Sequence, residues 1–137
     1  IPMGGLAMDR AISANFGFTL VQAEEYKRTY GIVDQSLGGK ITKALEPILM
    51  TLLSEVKKAL AYYSDRYKND TPISQILLTG GTALLPGIDV FFVTNTNIET
   101  SIGNPWKTAS VSSVPPELLE QGPRFTVAVG LALRNDE

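Results

Sequence analysis

The sequence predicts an α/β chain in which a small sheet is flanked by helices and preceded by a helical segment over about 6–70. Three observations carry this. Apolar residues recur at three- and four-residue steps over 6–16 and along 40–68, the period of a helix with one face inward. The apolar triplet Ile76-Leu77-Leu78 runs directly into Thr79-Gly80-Gly81, which reads as a strand buried on both faces and then a tight corner. Ile98, Thr100 and Ile102 alternate with their neighbours as a strand does.

Composition bounds the function. The 137 residues suffice for one compact domain with a core. A hydrophobic fraction of 44% and a charged fraction of 19% are those of a globular protein. The net charge of -2 leaves no electrostatic footprint for nucleic acid. There is no apolar run of about 18 residues to span a membrane and no signal peptide. Cysteine and histidine are both absent. That removes disulfides and thiolates, and with histidine go the usual general base and the commonest metal ligand. Opening on Ile1 rather than Met, the chain reads as a segment of a longer protein.

Taken in order, Ile1-Pro2-Met3 is extended because proline biases its neighbour away from helix, and Gly4-Gly5 turns the chain. Leu6, Ala7, Ala11, Ile12, Ala14 and Phe16 then predict a helix that Gly17 ends. Thr19 and Gln22 match a capping box, with Phe18 and Ala23 at the staple positions, and this helix runs to about Tyr30 before Gly31. Glu24 and Lys27 lie three apart on it and share a face. On residues alone they form a solvated ion pair worth less than about 1 kcal/mol.

Gly38-Gly39 breaks the chain before a long helix over 40–68. Its stripe of Ile41, Leu45, Ile48, Leu52, Val56, Leu60, Tyr63 and Tyr67 is core, and Pro47 is expected to kink or restart it. Residues 69–72 form a loop leading to the strand at Ile76. After the double glycine, 86–94 is a short helix, so apolar that it is expected to be well covered. Gly103-Asn104-Pro105-Trp106 is a rigid turn whose tryptophan covers a core edge; 107–122 is irregular apart from one helical turn at 117–120. Residues 125–134 read as a helix apolar on every side, which requires burial, with Gly130 at a close backbone contact.

The corner at Gly80-Gly81 is the chemically informative stretch. Glycines at a strand end let another group approach bare backbone, and a helix start aims unpaired amides at that group. A nucleotide suits this geometry, and so does plain tight packing; the residues alone leave both open. Gly38-Gly39-Lys40-Ile41-Thr42 fails as a P-loop, because Asp34 and Ile41 stand where the motif needs Gly and Ser or Thr.

Three segments in sequence order carry a resemblance. They are Ile1-Pro2-Met3-Gly4-Gly5 with Ala23-Glu24-Glu25-Tyr26-Lys27, then the run from Ile76 through Gly80-Gly81-Thr82 to Gly87, then Val127-Ala128-Val129-Gly130-Leu131-Ala132. Together they resemble the actin-like ATPase superfamily, of ribonuclease H-like fold. With the Asn104-Pro105-Trp106 turn, they are most similar within it to the PilM family of cytoplasmic type IV pilus assembly proteins. The resemblance implies the second lobe of that fold: a small helical (2B-like) subdomain over about 6–70 and a strand-GlyGly-helix nucleotide-binding part (2A-like) over about 71–137. It implies that Gly80, Gly81 and Thr82 pack on adenosine, while Glu24 and Lys27 close over ribose and adenine.

The cofactor it implies is ATP or ADP with Mg2+ in the full-length protein. Phosphates and metal are held in that family by two Asp-x-Gly loops, and none of the six aspartates here is followed two residues later by glycine. The expectation is therefore a segment with no catalytic and no metal residues, weak or no ATP binding alone, and no hydrolysis. The implied partner is the cytoplasmic tail of the inner-membrane protein PilN, held mainly by the missing N-terminal half, at the periphery of the bacterial inner membrane. Self-association of the isolated lobe is a further expectation. The alternative is an FtsA-like, filament-forming cell-division homologue; its C-terminal amphipathic membrane helix has no counterpart at Arg134-Asn135-Asp136-Glu137. A sugar or acetate kinase of the superfamily needs a catalytic base that nothing here supplies.

Overall fold

The computed structural model of the chain describes residues 4–33, 39–68, 71–109 and 113–134. The expected extended start at 1–3, the first glycine of Gly38-Gly39 and the loop residues 69–70 lie outside the described residues.

Helix α1 (Gly5–Phe16) ends at Gly17 in the left-handed region, φ 69°. Helix α2 (Leu20–Tyr30) opens with the expected capping box: the Thr19 hydroxyl accepts from the Gln22 amide, and the Gln22 side chain accepts from the Thr19 amide at 3.0 Å. The Phe18 ring sits 5.4 Å from Phe16 and 4.7 Å from Tyr26, sealing the α1–α2 joint. Helix α3 (Lys40–Arg66) passes Pro47 without restarting. Ala44, Leu45 and Leu49 are buried on either side of it, and Pro47 itself faces solvent, so core packing holds the helix across the missing amide.

Strands β1 (Gln75–Leu78) and β2 (Glu99–Ile102) pair parallel, with Gln75 opposite Glu99 and Leu78 opposite Ile102. Between them run a 3-10 turn (Gly81–Leu84) and helix α4 (Ile88–Thr96), which carries the chain back so that the second strand points the same way as the first. After β2 come α5 (Pro105–Thr108), α6 (Pro116–Leu119) and α7 (Gly122–Ala132). The α/β expectation thus holds coarsely: helices dominate, and the sheet among the described residues has two strands. No helix of the described residues is long and apolar enough to cross a membrane.

The core lies between α1, α2, the first half of α3 and α4. Met8, Ile12, Leu45, Leu49 and Ile88 are its most fully buried large side chains, each contributing roughly 1.5–3 kcal/mol by leaving water. Leu85 and Phe92 join the same cluster, so the helical segment and the Gly-Gly segment share one core.

Several expectations about coverage are corrected. Strand β1 is not buried on both faces: Leu77 is 61% exposed, since only the side bearing Leu78 meets the core. The helix expected from 86 starts at Ile88, because Pro86-Gly87 forms a turn with Gly87 at φ 86°. Only Ile88 and Phe92 of α4 are buried; Val90 and Val93 are exposed to solvent. The α3 stripe stops being core after Val56, and Tyr67 is exposed. Helix α7 is not enclosed, with Val127, Leu131 and the following Leu133 exposed. Among the described residues nothing lies within 4 Å of where a Cβ on Gly130 would be, so no close contact among them explains that glycine.

One crossing organises these pieces. Gly31 leaves α2 at φ 54°, and the Ile32 amide donates to the Pro86 carbonyl at 2.9 Å. A Cβ on Gly31 would collide with the Pro86 oxygen and ring, and one on Gly87 with the Val33 side chain. Two chain segments therefore pass backbone against backbone, which only glycine permits.

Gly31→Ala is expected to destabilise the protein by about 2 kcal/mol or more. Gly130→Ala, with helical backbone and open space, is expected to stabilise it by about 0.5–1 kcal/mol. Urea denaturation midpoints measure both, and a neutral Gly31→Ala would contradict the crossing.

Candidate functional site

The exit of α2 and the 3-10 turn meet across a cleft of about 720 Å³ whose floor is the first turn of α1. Of the five residues singled out in the sequence, Glu24, Lys27, Gly81 and Thr82 line it; Gly80 does not. Gly80 instead makes the corner. Its φ of 87° and ψ of 175° are in a region that side chains avoid, and its amide donates to the Pro123 carbonyl at 2.8 Å, tying the corner to the start of α7.

The strongest polar contact in the cleft is one that the sequence did not suggest. The Lys27 ammonium lies 2.6 Å from Asp9 Oδ1 and donates to the Gly5 carbonyl at 3.3 Å. The two side chains are 14% and 11% exposed, so this is a largely buried pair. The reading of Glu24 and Lys27 as a surface ion pair is corrected: Asp9, held low on α1 among Met8 and Ile12, takes the ammonium, and Glu24 stays exposed on the rim. The signal was there in principle. Asp9 and Ile12 are three apart, so a carboxylate shares the helix face that carries a core side chain.

The far wall comes from α6 and α7, through Glu117, Glu120, Gln121 and Arg124. Trp106 holds that wall. Its indole N–H donates to the Leu118 carbonyl at 3.0 Å and its ring lies 5.4 Å from Phe125. Tryptophan at a core edge was the expectation, and it packs there half-buried. A Cβ on Gly122 would stand 3.0 Å from the indole nitrogen, so the wall is closely fitted. Arg124 reaches over Gly81, 3.5 Å from where a Cβ would be, and donates to Gln121 Oε1 at 3.1 Å. The bare backbone at Gly81 is thus met by a guanidinium.

Four carboxylates (Asp9, Glu24, Glu117, Glu120) and three cations (Lys27, Arg28, Arg124) line the cleft. This is not a cationic phosphate pocket. It is a mixed polar cleft that offers donors and acceptors together, which suits hydroxyls and a heterocycle better than an anion. Among the described residues no three of His, Cys, Asp and Glu come together as a metal site.

The fold around this cleft, helices about a parallel strand-helix-strand unit, has a counterpart among solved structures. The chain is similar over its whole length to a chain of a PilM-PilN type IV pilus biogenesis complex, at 30% identity and a TM-score of 0.73. It spans 38% of the length of that chain. The family model for type IV pilus assembly protein PilM matches residues 2–136, and the chain belongs to that family. No curated protein matches it.

Lys27→Met leaves the Asp9 carboxylate largely buried without a partner. It is expected to destabilise the protein by about 2 kcal/mol. Adding Asp9→Asn to it is expected to recover at least half of the loss, read from denaturation midpoints; strictly additive losses would show that the two side chains do not interact.

Proposed function

We propose that this chain is the nucleotide-binding lobe of a PilM-type scaffold for type IV pilus assembly, with the adenosine end of ATP or ADP lying in the cleft. The observation that carries this is convergence. Glu24 and Lys27, far in sequence from Gly81 and Thr82, face the same 720 Å³ space. Gly81 and Thr82 supply backbone and a hydroxyl on one side; Glu24 and the Lys27 ammonium close the other. The division into a small helical part over about 6–70 and a strand-GlyGly-helix part over about 71–137 belongs to the same reading, as does the actin-like lobe. The residues fit the nucleoside end of the ligand. Magnesium and phosphates would be held by other residues of the full-length protein.

The similarity to a chain of a PilM-PilN complex supports PilN as the partner of the full-length protein; in this reading the protein works in the cytoplasm, peripheral to the inner membrane. In this reading the bound nucleotide sets how the lobe sits, and the protein is a scaffold with at most weak hydrolysis. The exposed apolar side chains of α7 favour self-association of this lobe in isolation.

The test is calorimetric titration with ATP and magnesium. The full-length protein is expected to bind, and Gly81→Val, which adds a branched side chain to the cleft lining beside Arg124, to weaken binding roughly tenfold, about 1.4 kcal/mol. This chain alone is expected to bind more weakly than the low-micromolar range and to release no phosphate. Unchanged affinity in Gly81→Val would remove the adenosine from this corner.

A further inference from the structure

The far wall of the cleft is weakly supported by its own packing. Helix α6 has four residues, none of them buried, and Leu119 is 51% exposed; so short a helix is not stable by itself. Among the described residues, the side chain that hydrogen-bonds α6 is that of Trp106, from α5. The bond goes to an informative atom. The Leu118 carbonyl accepts from the indole N–H at 3.0 Å and from the Gln121 amide at 3.1 Å, so both its lone pairs are engaged. Gln121 opens α7, and its Oε1 accepts from Arg124, which stands over Gly81. An unbroken run of contacts thus leads from an indole that does not line the cleft to the guanidinium that covers the bare backbone at Gly81.

The indole has a firm base. The Trp106 amide donates to Asn104 Oδ1 at 3.1 Å, and the Gly103 amide to the Leu78 carbonyl at 2.8 Å, which fastens α5 to the end of β1. The ring packs on Phe125 and fits against Gly122, where a Cβ would stand 3.0 Å from the indole nitrogen. Resting on the nucleotide reading above, we propose that Trp106 is a positioning residue: through the Leu118 carbonyl it holds α6 and the start of α7 as the rim of the cleft, and so sets how long a nucleotide stays bound. The arrangement favours an effect on release over one on entry. Encounter is governed by the open cleft, which the indole does not occupy, whereas escape requires the rim to give way. The double-glycine corner feels the same rim, since the Gly80 amide donates to the Pro123 carbonyl at 2.8 Å.

The experiment is surface plasmon resonance on the immobilised full-length protein, with ATP and magnesium in the flow. Trp106→Phe keeps a ring against Phe125 and removes the N–H; the Leu118 carbonyl retains the Gln121 amide, so no acceptor is left without a partner. This variant is expected to release ATP about tenfold faster, with association within about twofold of wild type. A purely structural role would instead lower the fraction of protein that binds and leave the release rate of the rest unchanged, and that outcome overturns the proposal. Arg124→Gln is expected to speed release as well. The double variant is expected to release no faster than the faster single one, as for residues acting in one chain of contacts; multiplied effects overturn the route through Arg124. Should Trp106→Phe not fold, Gly122→Ala presses a methyl on the indole nitrogen while keeping the tryptophan, and is expected to speed release in the same sense; an unchanged rate there overturns the proposal. Wild-type release kinetics in Trp106→Phe overturn the proposal and leave the nucleotide cleft standing. No ATP bound by the wild-type protein overturns both this inference and the function on which it rests.

Discussion

The close passage of Gly31 against Pro86-Gly87 is the constraint from which the rest follows. Backbone meets backbone there because neither glycine carries a side chain, and the Ile32 amide closes on the Pro86 carbonyl. Lys27 lies four residues before Gly31 and Thr82 four residues before Pro86. Joining the two exits therefore brings the end of α2 and the 3-10 turn face to face. The cleft is a consequence of that junction; a side chain at either glycine would push its two walls apart before any ligand arrived.

The cleft that results is chemically mixed. Its buried ion pair is internally neutral, and the remaining charges on its rim are of both signs. In a partly desolvated site, matched donors and acceptors favour neutral polar groups, while a free anion needs an excess of donors. The chemistry of the cleft is suited to holding neutral polar groups rather than to transferring them. That agrees with membership in a family of assembly proteins.

The apolar surfaces left open have a common cause. A parallel sheet is ordinarily covered on both faces, yet β1 and β2 present Leu77 and Ile102 to solvent, and α7 presents Val127 and Leu131. Packing in this chain is concentrated where α1, α2, α3 and α4 converge. Elements outside that convergence are covered only in part. This is why counting apolar residues overestimated the coverage of β1, α4 and α7: apolar composition reports a preference for burial, and whether a neighbour is present is a property of the fold.

What the sequence determined by itself is the local structure. The Thr19–Gln22 capping box, the stop at Gly17, the double-glycine corner and the helical stripe through Ile41, Leu45 and Leu52 depend on residues within a turn or two of each other, so their periods and turn chemistry are legible directly. Of the residues that the resemblance singled out, Glu24, Lys27, Gly81 and Thr82 line one cleft and Gly80 does not. Only the tertiary structure decided the partners. Asp9 rather than Glu24 takes Lys27, Arg124 covers Gly81, Gly80 turns away into a contact with Pro123, and Pro47 leaves α3 unbroken. Each of these is settled by which distant segments the core brings together, and a single sequence read locally carries no measure of that distance.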